Sequence, residues 1–179
     1  MMTVVTGMPR TGTSMMMQML LAAGIQPFCD DAREADEHNP RGYFEHSEIK
    51  GKNYDWVNEA DGMAAKVICP YIPGMPLRGW RAILMTRPTA ETMASQDHLI
   101  GDDPYNFNLK SLWGAMEKTV AQAKTHMTEA GIAYLPVAYH EAIHSPDQTA
   151  AIVRNFIEVS PKMDAAIAAA IDPEMNHFS

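Results

Sequence analysis

Cysteine is scarce in this sequence: Cys29 and Cys69 are its two. A widely spaced pair makes neither a disulfide framework nor a zinc site. Positive charge is also in short supply. Fourteen lysines and arginines face twenty-two acids, for a net charge of −8. An acidic surface argues against general binding of nucleic acid or of an anionic membrane. Any anion site must then be built locally, from a few arginines and backbone N–H groups. Long apolar runs are missing as well. The longest, Met15 to Gly24, is interrupted by Gln18 and falls far short of the ~20 residues that span a membrane. The chain opens directly on a strand and a glycine loop, without the order of a secretory leader, so a cytoplasmic protein is expected. No internal repeat or linker stands out.

Methionine is abundant, with fifteen residues. Met15, Met16, Met17 and Met19 fall in the first predicted helix and read as core filler. The composition, 46% hydrophobic and 20% charged, is ordinary for a globular chain. The length suits one domain, residues 1–179, around one core.

Strand and helix patterns alternate along the chain. Thr3 to Thr6 is β-branched throughout and suits a buried parallel strand. Gly7 to Gly12 is a turn, and a helix follows to Ala23-Gly24. Ile25 to Cys29 reads as a short edge segment, and 30–41 as a polar loop too long for a simple connection. A helix is expected over about Ser47 to Asn58, then a strand over Ala64 to Cys69. Residues 70–79 read as a loop with room for one helical turn, and Trp80 to Thr86 as the third strand. Pro88 opens a helix to about Leu99. A longer helix over about Asn106 to Ala130 carries Leu109, Leu112, Trp113, Met116, Val120 and Ala123 near a 3.6 period. Ile132 to Ala138 is the fourth strand. Ser145-Pro146 opens a helix with Ile152, Val153, Phe156 and Ile157 as its core face, and Ser160-Pro161 opens the last helix. This order predicts a three-layer α/β/α fold with a mostly parallel sheet of four to five strands. Ligands then bind at the carboxyl ends of the strands.

The chemistry gathers at Gly7-Met8-Pro9-Arg10-Thr11-Gly12-Thr13-Ser14. The spacing G-x-x-x-x-G between strand and helix is that of a phosphate-binding loop, whose helix N-terminus receives a tetrahedral anion. Thr13 or Ser14 is expected to cap that helix. Thr13 stands where a nucleotide triphosphatase carries lysine, and Arg10 is the loop's cation. The second and third strands end in Ile68-Cys69-Pro70 and Met85-Thr86-Arg87, without the acid that a kinase or nucleotide hydrolase commonly uses to hold its metal.

Pro9-Arg10-Thr11-Gly12-Thr13-Ser14 resembles the P-[KR]-[ST]-G-T-[ST] loop of sulfotransferases that use 3′-phosphoadenosine 5′-phosphosulfate (PAPS), including small bacterial members. The resemblance implies that this loop grips the 5′-phosphosulfate and that no metal is needed. Arg87 with Ser95 resembles the arginine and serine, eight residues apart, that bind the cofactor's 3′-phosphate in that family. Here the Asp-Pro after the arginine is shortened to Pro88. Asn39-Pro40-Arg41-Gly42-Tyr43-Phe44-Glu45 looks like the family's N-P-x-G-[YF]-[YF]-E segment. Glu45 becomes the candidate general base, with His46, His38 and Glu37 as rivals. Lys66 matches a lysine often found beside the site. Val137-Ala138-Tyr139-His140-Glu141-Ala142 is similar to the family's fourth strand and turn. The family's C-terminal R-K-G segment has no counterpart. The implied reaction moves a sulfuryl group from PAPS to the hydroxyl or amine of a small-molecule or other acceptor. The acceptor itself and the oligomeric state are not legible. The alternatives are a P-loop kinase or hydrolase, and a non-catalytic binding protein with the same fold. The acceptor pocket is expected among residues 28–62 and 97–110.

Overall fold

A computed structural model of the chain describes residues 1–30, 42–50, 54–100 and 109–172. Among the described residues there are four strands: β1 (Met2–Thr6), β2 (Ala64–Lys66), β3 (Trp80–Thr86) and β4 (Tyr134–Ala138). They form one sheet in the order β2-β1-β3-β4, with every pair parallel. Val5 sits opposite Lys66 on one side and Ile83 on the other, while Thr86 pairs with Ala138. The central strand β1 is buried at all five positions. That is why its apolar and β-branched residues run on without the polar alternation of a one-sided sheet.

Helices cover both faces. On one face Val5, Ile83, Met85 and Val137 pack against α1 (Thr13–Ala22), α5 (Tyr139–His144), α6 (Pro146–Ile157) and α7 (Asp164–Ala169). The methionines behave as expected, since Met16, Met17 and Met19 are fully buried. On the other face Met2, Val4, Ala82 and Leu84 meet Phe28, Trp56, Ile72 and the α4 residues Ala123 and Met127. Here α2 is Trp56–Glu59, α3 is Thr89–Ile100 and α4 is Leu109–Glu129. No described helix is long and apolar enough to cross a membrane.

Several expectations are corrected. The helix expected over 47–58 is a 3-10 turn, Ser47–Lys50, and the one-turn α2, with Tyr54 and Asp55 outside both. Ile49 and Trp56 still face the core, because tertiary burial can hold them without a continuous helix. Strand β2 stops at Lys66 rather than Cys69, and the helical turn allowed for in 70–79 is present as the 3-10 segment Cys69–Gly74. Ile152 is 52% exposed. The buried residues of α6 are Thr149, Val153 and Ile157, an i, i+4, i+8 row, with Ala150, three residues before Val153, beside it; Ile152 does not fall on that row. Tyr139 to His144 is a helix of its own rather than a turn. Pro27 bridges Ala64 in parallel, as the reading of 25–29 as an edge segment implied.

The strand order creates the site. The connection from β1 runs to β2 on one side, while β3 and β4 lie on the other. The chain therefore diverges above the carboxyl ends of β1 and β3, where an open α/β sheet leaves its crevice.

Candidate functional site: a loop, two arginines and a lysine–glutamate pair

Residues 7–12 cross this crevice as a compact turn. Thr11 donates both its backbone N–H (3.3 Å) and its hydroxyl (2.7 Å) to the Met8 carbonyl. Gly7 lies against β3, where an added Cβ would come 2.8 Å from the Met85 carbonyl oxygen. Gly12 has φ +91° and would place a Cβ 2.6 Å from the Tyr139 ring. Only glycine fits both demands. Gly12, not Thr13 or Ser14, occupies the N-cap position of α1, and no side chain makes a capping hydrogen bond there. The expected cap is absent because the helix has already begun at Thr13, placing both hydroxyls inside its first turn. A helix start without a side-chain cap presents its dipole and first N–H groups toward the crevice. Thr11 and Thr13 are buried and Pro9 is exposed.

Arg10 is a non-glycine residue held at φ +70°, a conformation that costs about 1–3 kcal/mol. Its Nε donates to Ser95 Oγ at 3.0 Å, across 85 residues of sequence. Ser95 is buried on α3. Arg87, at the end of β3, donates from Nη1 to the Arg10 carbonyl at 3.4 Å and from Nε to Glu91 at 3.1 Å. Its guanidinium lies 4.4 Å from the centre of the Tyr139 ring, within cation–π range. The structure thus brings Arg10, Arg87 and Ser95 together. The direct hydroxyl partner of Ser95 is Arg10 rather than Arg87.

Glu91 links this group to α5. Its Oε2 also lies 2.7 Å from His140 Nε2. Burial pushes the pKa of Glu91 up, but the bonds and charges of Arg87 and His140 outweigh it and hold the carboxyl below its ordinary range. The Tyr139 phenol is pushed up by burial, which the cations Arg87 and Arg10 oppose without cancelling. It therefore stays neutral beneath Arg87.

On the β2 side, Lys66 Nζ is 3.4 Å from Glu45 Oε1 and 3.5 Å from Ser14 Oγ. It also stands 5.6 Å from the Tyr43 ring centre. A lysine this buried needs such partners. Glu45 follows Phe44, another non-glycine residue with positive φ, at +53°. His46, a rival to Glu45, stacks on Phe28 at 4.1 Å and accepts the Glu48 N–H at Nδ1. His38 and Glu37 lie outside the described residues.

A cavity of about 250 Å³ adjoins the loop on the α4 side, with Met8, Met85, Met116 and Val120 among its walls. Thr11, Thr86 and Thr92 also line it, and each hydroxyl donates to a backbone carbonyl. To a ligand they offer lone pairs. This cavity lies outside the segments expected to form an acceptor pocket.

Sequence reading missed Glu91, Tyr139 and Asp30 as parts of this neighbourhood. Glu91 carried the one available signal, an acid one helical turn after Arg87. Among the described residues, no three His, Cys, Asp or Glu side chains gather as a metal cluster.

No protein-family model matches the chain, and no curated protein matches it. Among solved structures, the sulfotransferase domain of the olefin synthase of Synechococcus PCC 7002 aligns with 98% of this chain and 78% of that one, at 14% identity and a TM-score of 0.55. At that identity the kinship is one of fold: this chain is built like a sulfotransferase domain.

Proposed function

We propose that the protein is a PAPS-dependent sulfotransferase acting on a hydroxyl or amine acceptor. The observation that carries this reading is the Arg10–Ser95 contact over the start of α1. It joins the loop after β1 to the helix after β3, so a 5′-phosphosulfate and a 3′-phosphate can be gripped by one connected group of residues. The residues fit the ligand: a tetrahedral anion suits a helix start without a side-chain cap, and planar guanidinium groups suit phosphate.

In this reading Arg10 and the N–H groups of Gly12, Thr13 and Ser14 hold the phosphosulfate, while Thr11, through its bonds to the Met8 carbonyl, shapes the turn with Gly12 and Pro9. Arg87 and Ser95 anchor the 3′-phosphate. Glu45 takes the proton from the acceptor as the acceptor atom bonds to sulfur. The bond between sulfur and the 5′-phosphate oxygen breaks, and the electron pair leaves with adenosine 3′,5′-bisphosphate (PAP). Arg10 stabilises the charge that develops on that oxygen, the kind of fixed-dipole stabilisation that dominates group transfer. Lys66 holds Glu45 close to the first turn of α1.

The fold likeness to a sulfotransferase domain supports the reading at a coarser level. A kinase or hydrolase is less well supported, because Thr13 replaces the loop lysine and the ends of β2 and β3 bring Val67 and Arg87 rather than an acid. Thermal unfolding with PAP and with ATP–Mg²⁺ decides between them. PAP at 100 times its dissociation constant should stabilise the protein by about 2.7 kcal/mol. Stabilisation by ATP–Mg²⁺ alone sinks the sulfotransferase reading.

A further inference from the structure

We infer that Asp30 is a positioning residue for Glu45, an inference that rests on the reading of Glu45 as the base. Asp30 grips the chain directly after Glu45, on either side of His46. Its backbone N–H donates to the Glu45 carbonyl at 3.0 Å. Its Oδ2 accepts the Ser47 N–H at 2.8 Å and the Ser47 hydroxyl at 2.7 Å. Three bonds from one residue fix the peptide group that follows Glu45 and the one after it, and so hold the chain from which the Glu45 side chain departs.

The clamp is referenced to the sheet. Two residues before Asp30, Phe28 N–H donates to the Ala64 carbonyl at 2.6 Å, and Ala64 N–H donates to Gln26 at 2.8 Å. Two residues after Ala64 comes Lys66, the partner of Glu45. Asp30 and Lys66 therefore lie at the same distance along two parallel segments from one shared bond. The Phe28 ring extends the anchor, stacking on His46 at 4.1 Å and on Trp56 at 5.8 Å. His46 Nδ1, at 3.8 Å from Asp30, is beyond hydrogen-bond reach of the carboxylate. The carboxylate's grip on this turn thus runs through Ser47. Without it, Glu45 would ride on a segment whose Phe44 sits at positive φ, a conformation that persists only when its surroundings enforce it. Proton transfer demands positional accuracy, and a misplacement of about 1 Å can cost on the order of 100-fold.

The test combines hydrogen exchange, PAP binding and a double-mutant cycle. Release of PAP from PAPS in single turnover needs no identified acceptor, because water can take the sulfuryl group. Asp30→Ala should speed exchange at the Ser47 amide and leave the PAP thermal shift unchanged. It should also slow PAP release about tenfold or more. Asp30→Asn keeps an acceptor oxygen and should restore most of the rate. In the cycle, Asp30→Ala placed on Glu45→Gln should cost little further, since a positioning residue has nothing left to position. Effects that add fully, an unchanged rate in Asp30→Ala, or loss of PAP binding in that variant each overturn the inference. A wild-type protein that binds PAP but releases none from PAPS also overturns it, while leaving the anion cradle standing. A wild-type protein that PAP does not stabilise overturns the sulfotransferase reading itself.

Discussion

Arg10 carries two opposing demands. Its side chain reaches Ser95, yet its backbone sits at φ +70°, a region that disfavours residues with a Cβ. Glycine relieves that strain and loses the hydrogen bond. Relief of about 1–3 kcal/mol and loss of about 1.5–3 kcal/mol for a bond with a charged donor largely offset, so Arg10→Gly should change unfolding stability by no more than about 2 kcal/mol. Its effect on ligand should be much larger. Removing the one cation of the loop should abolish most of the PAP-induced thermal shift and lower PAPS turnover by about 100-fold or more. Urea unfolding and PAP titration on the same variant check both halves. A variant that loses stability by several kcal/mol would mean that Arg10 is held for the fold, not for an anion.

At the scale of elements, Glu91 ties α3 to α5 through Arg87 and His140. Its carboxyl is depressed in the folded chain, so the unfolded chain binds the proton first as pH falls. The contribution is thus complete above the unfolded value, near 4.3, and fades as pH drops through the lower folded value. The urea midpoint of the wild type should fall through that acid window, and Glu91→Gln should fall less steeply. Equal slopes would show that the junction adds no pH-linked stability. These cross-element contacts also mark where sequence reading stops. The Thr3–Thr6 strand, the glycine loop and the methionine face of α1 were legible because each rests on neighbours within a few residues. The break between Ser47–Lys50 and α2, the exposure of Ile152 and the Gly12 cap were not. They depend on which face the finished sheet presents and on the Tyr139 ring packed against Gly12. Pairing Arg10 with Ser95 needed the strand order, since 85 residues separate them. Asp30 and Ser47 had no local signal at all, because neither hydrogen bond exists until the edge segment is laid against β2.

For the molecule as a whole, the strand order and the charge pull in different directions. The order β2-β1-β3-β4 gathers Arg10, Arg87 and Lys66 at one end of the sheet, while the chain as a whole carries −8. A multiply charged anion such as PAP is attracted at short range and repelled at long range. Which of the two an approaching ligand feels depends on screening. The Debye length is about 30 Å at 0.01 M salt and about 10 Å at 0.1 M. At the lower concentration the repulsive field of the entire surface reaches the ligand, and at the higher one only the groups around the crevice do. The association rate constant for PAP should therefore rise, by about two-fold or more, between these two salt concentrations. The dissociation rate should rise as well, because the guanidinium contacts weaken with screening. Stopped-flow mixing across that salt range separates the two rates. An association rate that falls steeply with salt would mean that the cluster of cations dominates the far field, and that the acidic surface plays no part in ligand capture.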